Sequence, residues 1–176
     1  MSAIIEEDLK SHIRSIPDFP KPGILFRDIT TLLAHPSAFK TAIDQLAAHF
    51  KDKGITKVIG IESRGFLVGA PVAYLIGAGF IPVRKKGKLP FKTTSVSYAL
   101  EYGEDTLEMH MDALHKGEKV VIIDDLLATG GTARATCDLV KKNGGQVAGL
   151  GFFIELTDLN GRDKLKGMDI TSLITY

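Results

Sequence analysis

Between Pro36 and Lys53 the apolar residues Phe39, Ala42, Ile43, Leu46, Ala47 and Phe50 return every three or four positions. That period predicts an amphipathic helix, opened by Pro36 and stopped by Gly54. Val58-Ile59-Gly60-Ile61 follows as a short unbroken apolar run, the texture of a strand buried on both faces. A second helical stretch is predicted from about Phe66 to Gly77-Ala78-Gly79, then a strand over Phe80-Ile81-Pro82-Val83. Pro82 brings no ladder donor, which argues against a central place for that strand.

Between Lys85 and Met111 the pattern changes. Thr94 to Leu100 and Thr106 to Met111 read as two strands joined through Tyr102-Gly103-Glu104, a hairpin with few large aliphatic side chains. It is expected to lie as an arm over the core. Apolar order resumes with a strand at Lys119 to Ile123 and a helix from about Gly131 to Asn143, whose Ala133, Cys137 and Val140 share one face. Further strands are predicted at Val147 to Ile154 and Ile170 to Tyr176. Strands alternating with helices predict an α/β fold, a mostly parallel twisted sheet flanked by helices with right-handed crossovers. No repeat or low-complexity linker divides the 176 residues, so a single domain is expected.

Composition narrows the partners. The chain has 22 Lys+Arg against 21 Asp+Glu, a net charge of +1, and lacks the basic excess of a general nucleic-acid binder. No apolar run reaches the roughly 18 residues of a membrane span. The acidic start, Met1 to Asp8, does not read as a secretory signal. The single cysteine, Cys137, has no internal disulfide partner and suits helix packing better than nucleophilic chemistry. The five histidines show no metal-ligand spacing. A cytoplasmic protein without nucleic-acid or membrane partners is expected.

The most informative segment is Val120-Val121-Ile122-Ile123-Asp124-Asp125-Leu126-Leu127-Ala128-Thr129-Gly130-Gly131-Thr132. Four apolar residues run into two carboxylates, and a Thr-Gly-Gly-Thr turn then opens a helix. Ligands of open α/β sheets bind beyond the carboxyl ends of the strands. The glycines allow close backbone approach, and free amides at a helix start with two threonine hydroxyls suit a phosphate dianion. The aspartates would repel that phosphate and fit ribose hydroxyls or a magnesium ion instead. A sugar phosphate is the ligand this pattern favours.

The segment resembles the phosphoribosyl-diphosphate (PRPP) loop of the type I phosphoribosyltransferase family. Phe19 to Ile29, Gly60-Ile61-Glu62-Ser63-Arg64-Gly65-Phe66, Arg84 to Pro90 and Leu100-Glu101-Tyr102-Gly103 are similar, in that order, to the adenine-using branch of the family. The likeness runs from near residue 17 to the end. It implies transfer of the 5-phosphoribosyl group from PRPP to adenine, giving AMP and diphosphate, a glycosyltransferase step of purine salvage. It also implies a small N-terminal base-covering hood (about 1–35) and a flexible β-hairpin lid (about 85–111).

By the same resemblance, Ala128, Thr129, Gly130, Gly131 and Thr132 hold the 5-phosphate, while Asp124 and Asp125 hold the ribose hydroxyls. Ser63 and Arg64 meet the diphosphate, Arg64 also serving catalysis, and Mg2+ is held mainly through PRPP. The stretch holding Arg84, Lys85, Lys86 and Lys88 sits at a homodimer interface and reaches toward the partner's diphosphate, with the division of work among the four cations left open. The backbone of Leu25 and Arg27 meets the adenine edge, with Phe26 and Leu126 on its faces. Glu101 matches the family's general acid/base, and Tyr102 beside it helps close the lid. The family often holds the 63–64 turn through a non-proline cis peptide; the sequence leaves the Ser63–Arg64 bond open. Two other readings share the loop: a transferase for hypoxanthine, guanine or xanthine, and a non-catalytic PRPP-sensing regulator. The regulator would normally need a DNA-binding domain or a basic face.

Overall fold

The computed structural model describes residues 6–99 and 103–176, so Glu101 and Tyr102 lie outside the described residues. A seven-stranded mixed sheet forms the centre. Its middle is parallel: β3 (Lys57–Ile61) lies between β4 (Gly79–Lys85) and β7 (Lys119–Leu127), and β8 (Gln146–Glu155) and β9 (Ile170–Thr175) continue it outward. The hairpin strands β5 (Thr93–Ala99) and β6 (Glu104–His110) extend the other edge antiparallel.

Helices cover both faces. Successive β7 residues feed opposite cores: Val121 and Ile123 meet the side of α3 (Pro36–Phe50) and α4 (Arg64–Ile76), Val120 and Ile122 that of α5 (Gly131–Lys142). In α3 the buried stripe is Ala38, Ala42, Ile43, Leu46, Ala47 and Phe50, with Phe39 at its half-buried border. Pro36 opens α3 as predicted, where a missing N–H costs nothing. The helix ends at Phe50, three residues before Lys53. Ahead of it, α1 (Glu6–Ser11), the two-stranded sheet of β1 (Arg14–Ile16) and β2 (Phe26–Asp28), and α2 (Thr30–Ala34) join the same core through Leu9, Ile13, Ile29 and Leu32.

Three departures from the sequence pattern bear on function. The strand with Pro82 has neighbours on both sides, yet β6 pairs with it only at Arg84 and Lys85, beyond the proline, so no ladder bond to β6 is asked of Pro82. The hairpin is rooted more deeply than its composition suggests: Leu107 and Met109 of β6 are buried in the α5-side core. Finally, β7 does not stop at Ile123. It runs on through both aspartates to Leu127 because β8 stays beside it, pairing Leu126 with Ile154 and Leu127 with Glu155.

Candidate active site

Beyond the carboxyl ends of β3 and β7 lies a cavity of about 560 Å³. Asp124, Asp125 and Leu126 come to it from β7, Ala128 to Thr132 from the mouth of α5, and Ser63 and Arg64 from the start of α4. Lys85, Tyr98 and Asp105 close the hairpin side.

The 128–132 loop owes its path to two backbone contacts. Gly130 sits at φ +75°, where an added Cβ would fall 2.3 Å from the Gly161 carbonyl oxygen. A Cβ on Gly161 would in turn fall 2.2 Å from the Ala128 carbonyl oxygen. Only two glycines let this loop lie against the turn after β8. Gly130 caps α5 without a side-chain hydrogen bond, and no acidic residue stands in the first turn. The first-turn amides, which have no intrahelical partner, therefore present a positive pole.

The two carboxylates are held at a cost. Asp125 is 5% exposed, and its amide donates to Asp124 Oδ1 at 2.9 Å. Burial, then the negative charge of Asp125, pushes the Asp124 carboxyl well above the usual range. Burial also raises Asp125, less strongly because Arg64 opposes it. Arg64 Nε stands 2.7 Å from Asp125 Oδ2, but that oxygen receives no directed hydrogen bond among the described residues. The contact is coulombic, and an oxygen so placed retains lone pairs for a hydroxyl donor. Gly65 makes room here, since a Cβ would lie 2.8 Å from Asp124 Oδ1.

Arg64 also lies 5.2 Å over the Phe26 ring, linking the carboxylates to the N-terminal segment. The peptide bond ahead of this turn, Glu62–Ser63, is cis, one bond earlier than Ser63–Arg64. Of the four clustered cations, Lys85 alone lines the described cavity, with Nζ 3.2 Å from Asp105 Oδ2. Arg84 is spent on structure, donating to Glu62 at 3.0 and 3.3 Å and to the Lys88 carbonyl at 3.1 Å. Those bonds hold the Glu62 carboxyl below its ordinary range. Lys86 and Lys88 are exposed outside the cavity.

Leu126 lines the cavity, whereas Leu25, Phe26 and Arg27 stand outside its lining. Leu25 is about half exposed at 48%, and the Phe26 ring meets Phe19 edge-on at 5.2 Å. The Arg27 guanidinium stacks 3.6 Å from the Tyr176 ring and donates to Ser15 Oγ, which leaves backbone rather than side chain for any ligand. Cys137 is buried against Met168, its thiol pushed up to about 11 by desolvation, which suits packing and not nucleophilic attack.

Sequence reasoning missed Tyr98, Asp105 and Gly161. The alternation of β5 puts Val96 and Tyr98 on one face and could have flagged the tyrosine, but Gly161 has no local signature. An amide cradle and paired carboxylates beyond the ends of parallel strands define a sugar-phosphate-binding α/β protein. The family model of the phosphoribosyl transferase domain matches residues 28–172. An adenine phosphoribosyltransferase of Clostridium perfringens is 60% identical over 168 residues, covering 96% of this chain and 98% of that one. The crystal structure of adenine phosphoribosyltransferase from Thermoanaerobacter pseudethanolicus superposes with a TM-score of 0.94 at 53% identity, covering 97% of this chain and 99% of its own. The Saccharomyces cerevisiae enzyme, complexed with an iminoaltritol bisphosphate and adenine, gives 0.91 at 38%, covering 96% and 97%. The chain belongs to the adenine phosphoribosyltransferase family.

Proposed function

We propose that this chain transfers the 5-phosphoribosyl group of PRPP to adenine, releasing AMP and diphosphate. The observation that carries the reading is that one cavity is lined by both the Gly130–Gly131 turn and the Asp124–Asp125 pair. As the anomeric C–O bond breaks, positive charge builds on the ribose ring. Asp124 and Asp125 accept the ribose hydroxyls and hold the ring still, and Ala128 to Thr132 anchor its phosphate. Ser63 and Arg64 meet the departing diphosphate, with Arg64 leaving Asp125 to do so.

Magnesium is the proposed cation. It would be held mainly by PRPP oxygens, near Asp124 and Asp125. A carboxylate pair beside substrate oxygens fits a hard ion, and the chemistry it would supply is neutralisation of leaving-group charge.

The hood of about residues 1–35 is proposed to cover adenine, with Phe26 and Leu126 on the ring faces and the Leu25 and Arg27 backbone at its edge. Backbone readout separates amino from oxo purines, because an unmatched buried polar group costs about 1–3 kcal/mol. Diphosphate release measured with adenine, hypoxanthine, guanine and xanthine tests this: turnover is expected with adenine, and turnover confined to the oxo purines overturns it. Glu101, in the lid of about residues 85–111 with Tyr102, is proposed to exchange the adenine proton. Glu101→Gln is then expected to lower turnover more than it weakens PRPP binding; equal turnover removes Glu101 from the mechanism.

The working unit is proposed to be a cytoplasmic homodimer in which the 84–88 stretch lies at the interface and its exposed Lys86 and Lys88, rather than Arg84 or Lys85 with their own carboxylate partners, approach the partner's diphosphate. Sedimentation is expected to give a dimer at working concentration, and a monomer alone contradicts it. Nucleic acid and membrane are not proposed as partners; among the described residues no helix is long and apolar enough to cross a membrane.

A further inference from the structure

We propose that Tyr98 is a positioning residue of the phosphate cradle: from the hairpin, it orients the Thr132 hydroxyl as a donor to the ligand's terminal phosphate. This rests on the cradle reading above. Tyr98 Oη lies 3.2 Å from Thr132 Oγ1, and its ring stands 3.7 Å from where a Gly131 Cβ would be. The strand that carries it is tied to the far, C-terminal end of the helix. Lys142 Nζ donates to the Ser95 carbonyl at 3.0 Å, and Thr94 Oγ1 donates to Asn143 Oδ1 at 3.0 Å, so β5 is stitched along α5.

The chemistry follows from counting hydrogens. A threonine hydroxyl has one proton, and a phosphate dianion only accepts. When Thr132 donates to phosphate, its oxygen can take a proton only from a second donor, and among the described residues Tyr98 is the side-chain hydroxyl within reach. Donors aligned in such a chain polarise and strengthen one another. Asp105, paired across the hairpin from Tyr98, would repel the anion, but Lys85 Nζ stands 3.2 Å from its carboxylate and offsets that charge. A phenol is protonated at neutral pH, and burial raises the Tyr98 pKa further.

AMP and adenosine differ only in the phosphate, so calorimetric titration of both isolates the effect. Wild type is expected to bind AMP more tightly than adenosine; equal affinities overturn the cradle reading itself, and Tyr98 with it. Given that preference, Tyr98→Phe is expected to weaken AMP about five- to tenfold, the size of one lost hydrogen bond between neutral hydroxyls, and to leave adenosine unchanged. The KM for PRPP rises by the same factor while kcat stays within about twofold. In a Thr132→Val background, Tyr98→Phe is expected to cost AMP nothing more. An unchanged AMP affinity in Tyr98→Phe, an equal loss for adenosine, or additive losses in the double variant each overturn the proposal. The ratio of the two affinities is independent of the folded fraction, so a less stable variant still gives the answer.

Discussion

Asp124→Asn is expected to make the protein more stable and a poorer enzyme. The raised folded-state pKa means that the native protein binds this proton more tightly than the unfolded chain does. Stability therefore falls as pH climbs from the ordinary aspartate range through the higher folded value, so above that range the carboxyl buried beside Asp125 is a standing cost. Asparagine keeps an oxygen to accept the Asp125 amide and removes the charge. A gain on the order of 1 kcal/mol, or about 2–4 °C in melting temperature, is expected at pH 7. It should vanish at acid pH, where the wild-type carboxyl is protonated in both states. A gain of equal size at both pH values would contradict this origin. Turnover is expected to fall about ten- to hundredfold in kcat/KM for PRPP, because one of the two carboxyl oxygens that could meet a ribose hydroxyl is replaced by an amide NH2 that cannot accept. This pairing of stability with lost function marks a site that accepts strain for the sake of its ligand.

Gly161→Ala is expected to damage the site from outside the cavity. Its methyl would overlap the Ala128 carbonyl oxygen, a backbone atom with no rotamer to escape into. The turn after β8 and the cradle must separate, at about 1–3 kcal/mol for overpacking. Thermal melts should drop by several degrees, and titration with PRPP should show at least about tenfold weaker binding as the amides lose their convergence. Gly130→Ala meets the same contact from the other side and adds a left-handed backbone, so its loss should be larger. Melting and PRPP affinity unchanged in Gly161→Ala would show that the contact does not shape the cradle.

The sequence and the structure agree most closely where periodicity is strong and local. The stripe of α3, the buried run of β3 and the Asp-Asp…Thr-Gly-Gly-Thr segment were legible because each uses residues adjacent in the chain. Helix ends were less so: α3 stops at Phe50 although Gly54 is the nearer punctuation. The hairpin was legible as two strands, but its root was not. That Leu107 and Met109 are core depends on α5 packing over β6 and on β4 pairing with it, and neither is written in residues 104 to 110. Arg84 shows the same gap. Four cations in five residues gave no sign of how they divide their work, and Glu62, 22 positions away, takes the first of them.

Sequence alone was enough to determine the class of fold and to set two carboxylates and a glycine turn at the end of one strand. A 3.6-residue period, a buried apolar run and a glycine turn are properties of short stretches, and physics reads them without neighbours. Tertiary structure decided which groups converge: Tyr98 on Thr132, Gly161 against Ala128, Arg64 on Asp125, Lys85 on Asp105. Those contacts join segments tens of residues apart, and distance, burial and charge between them exist only once the chain has closed.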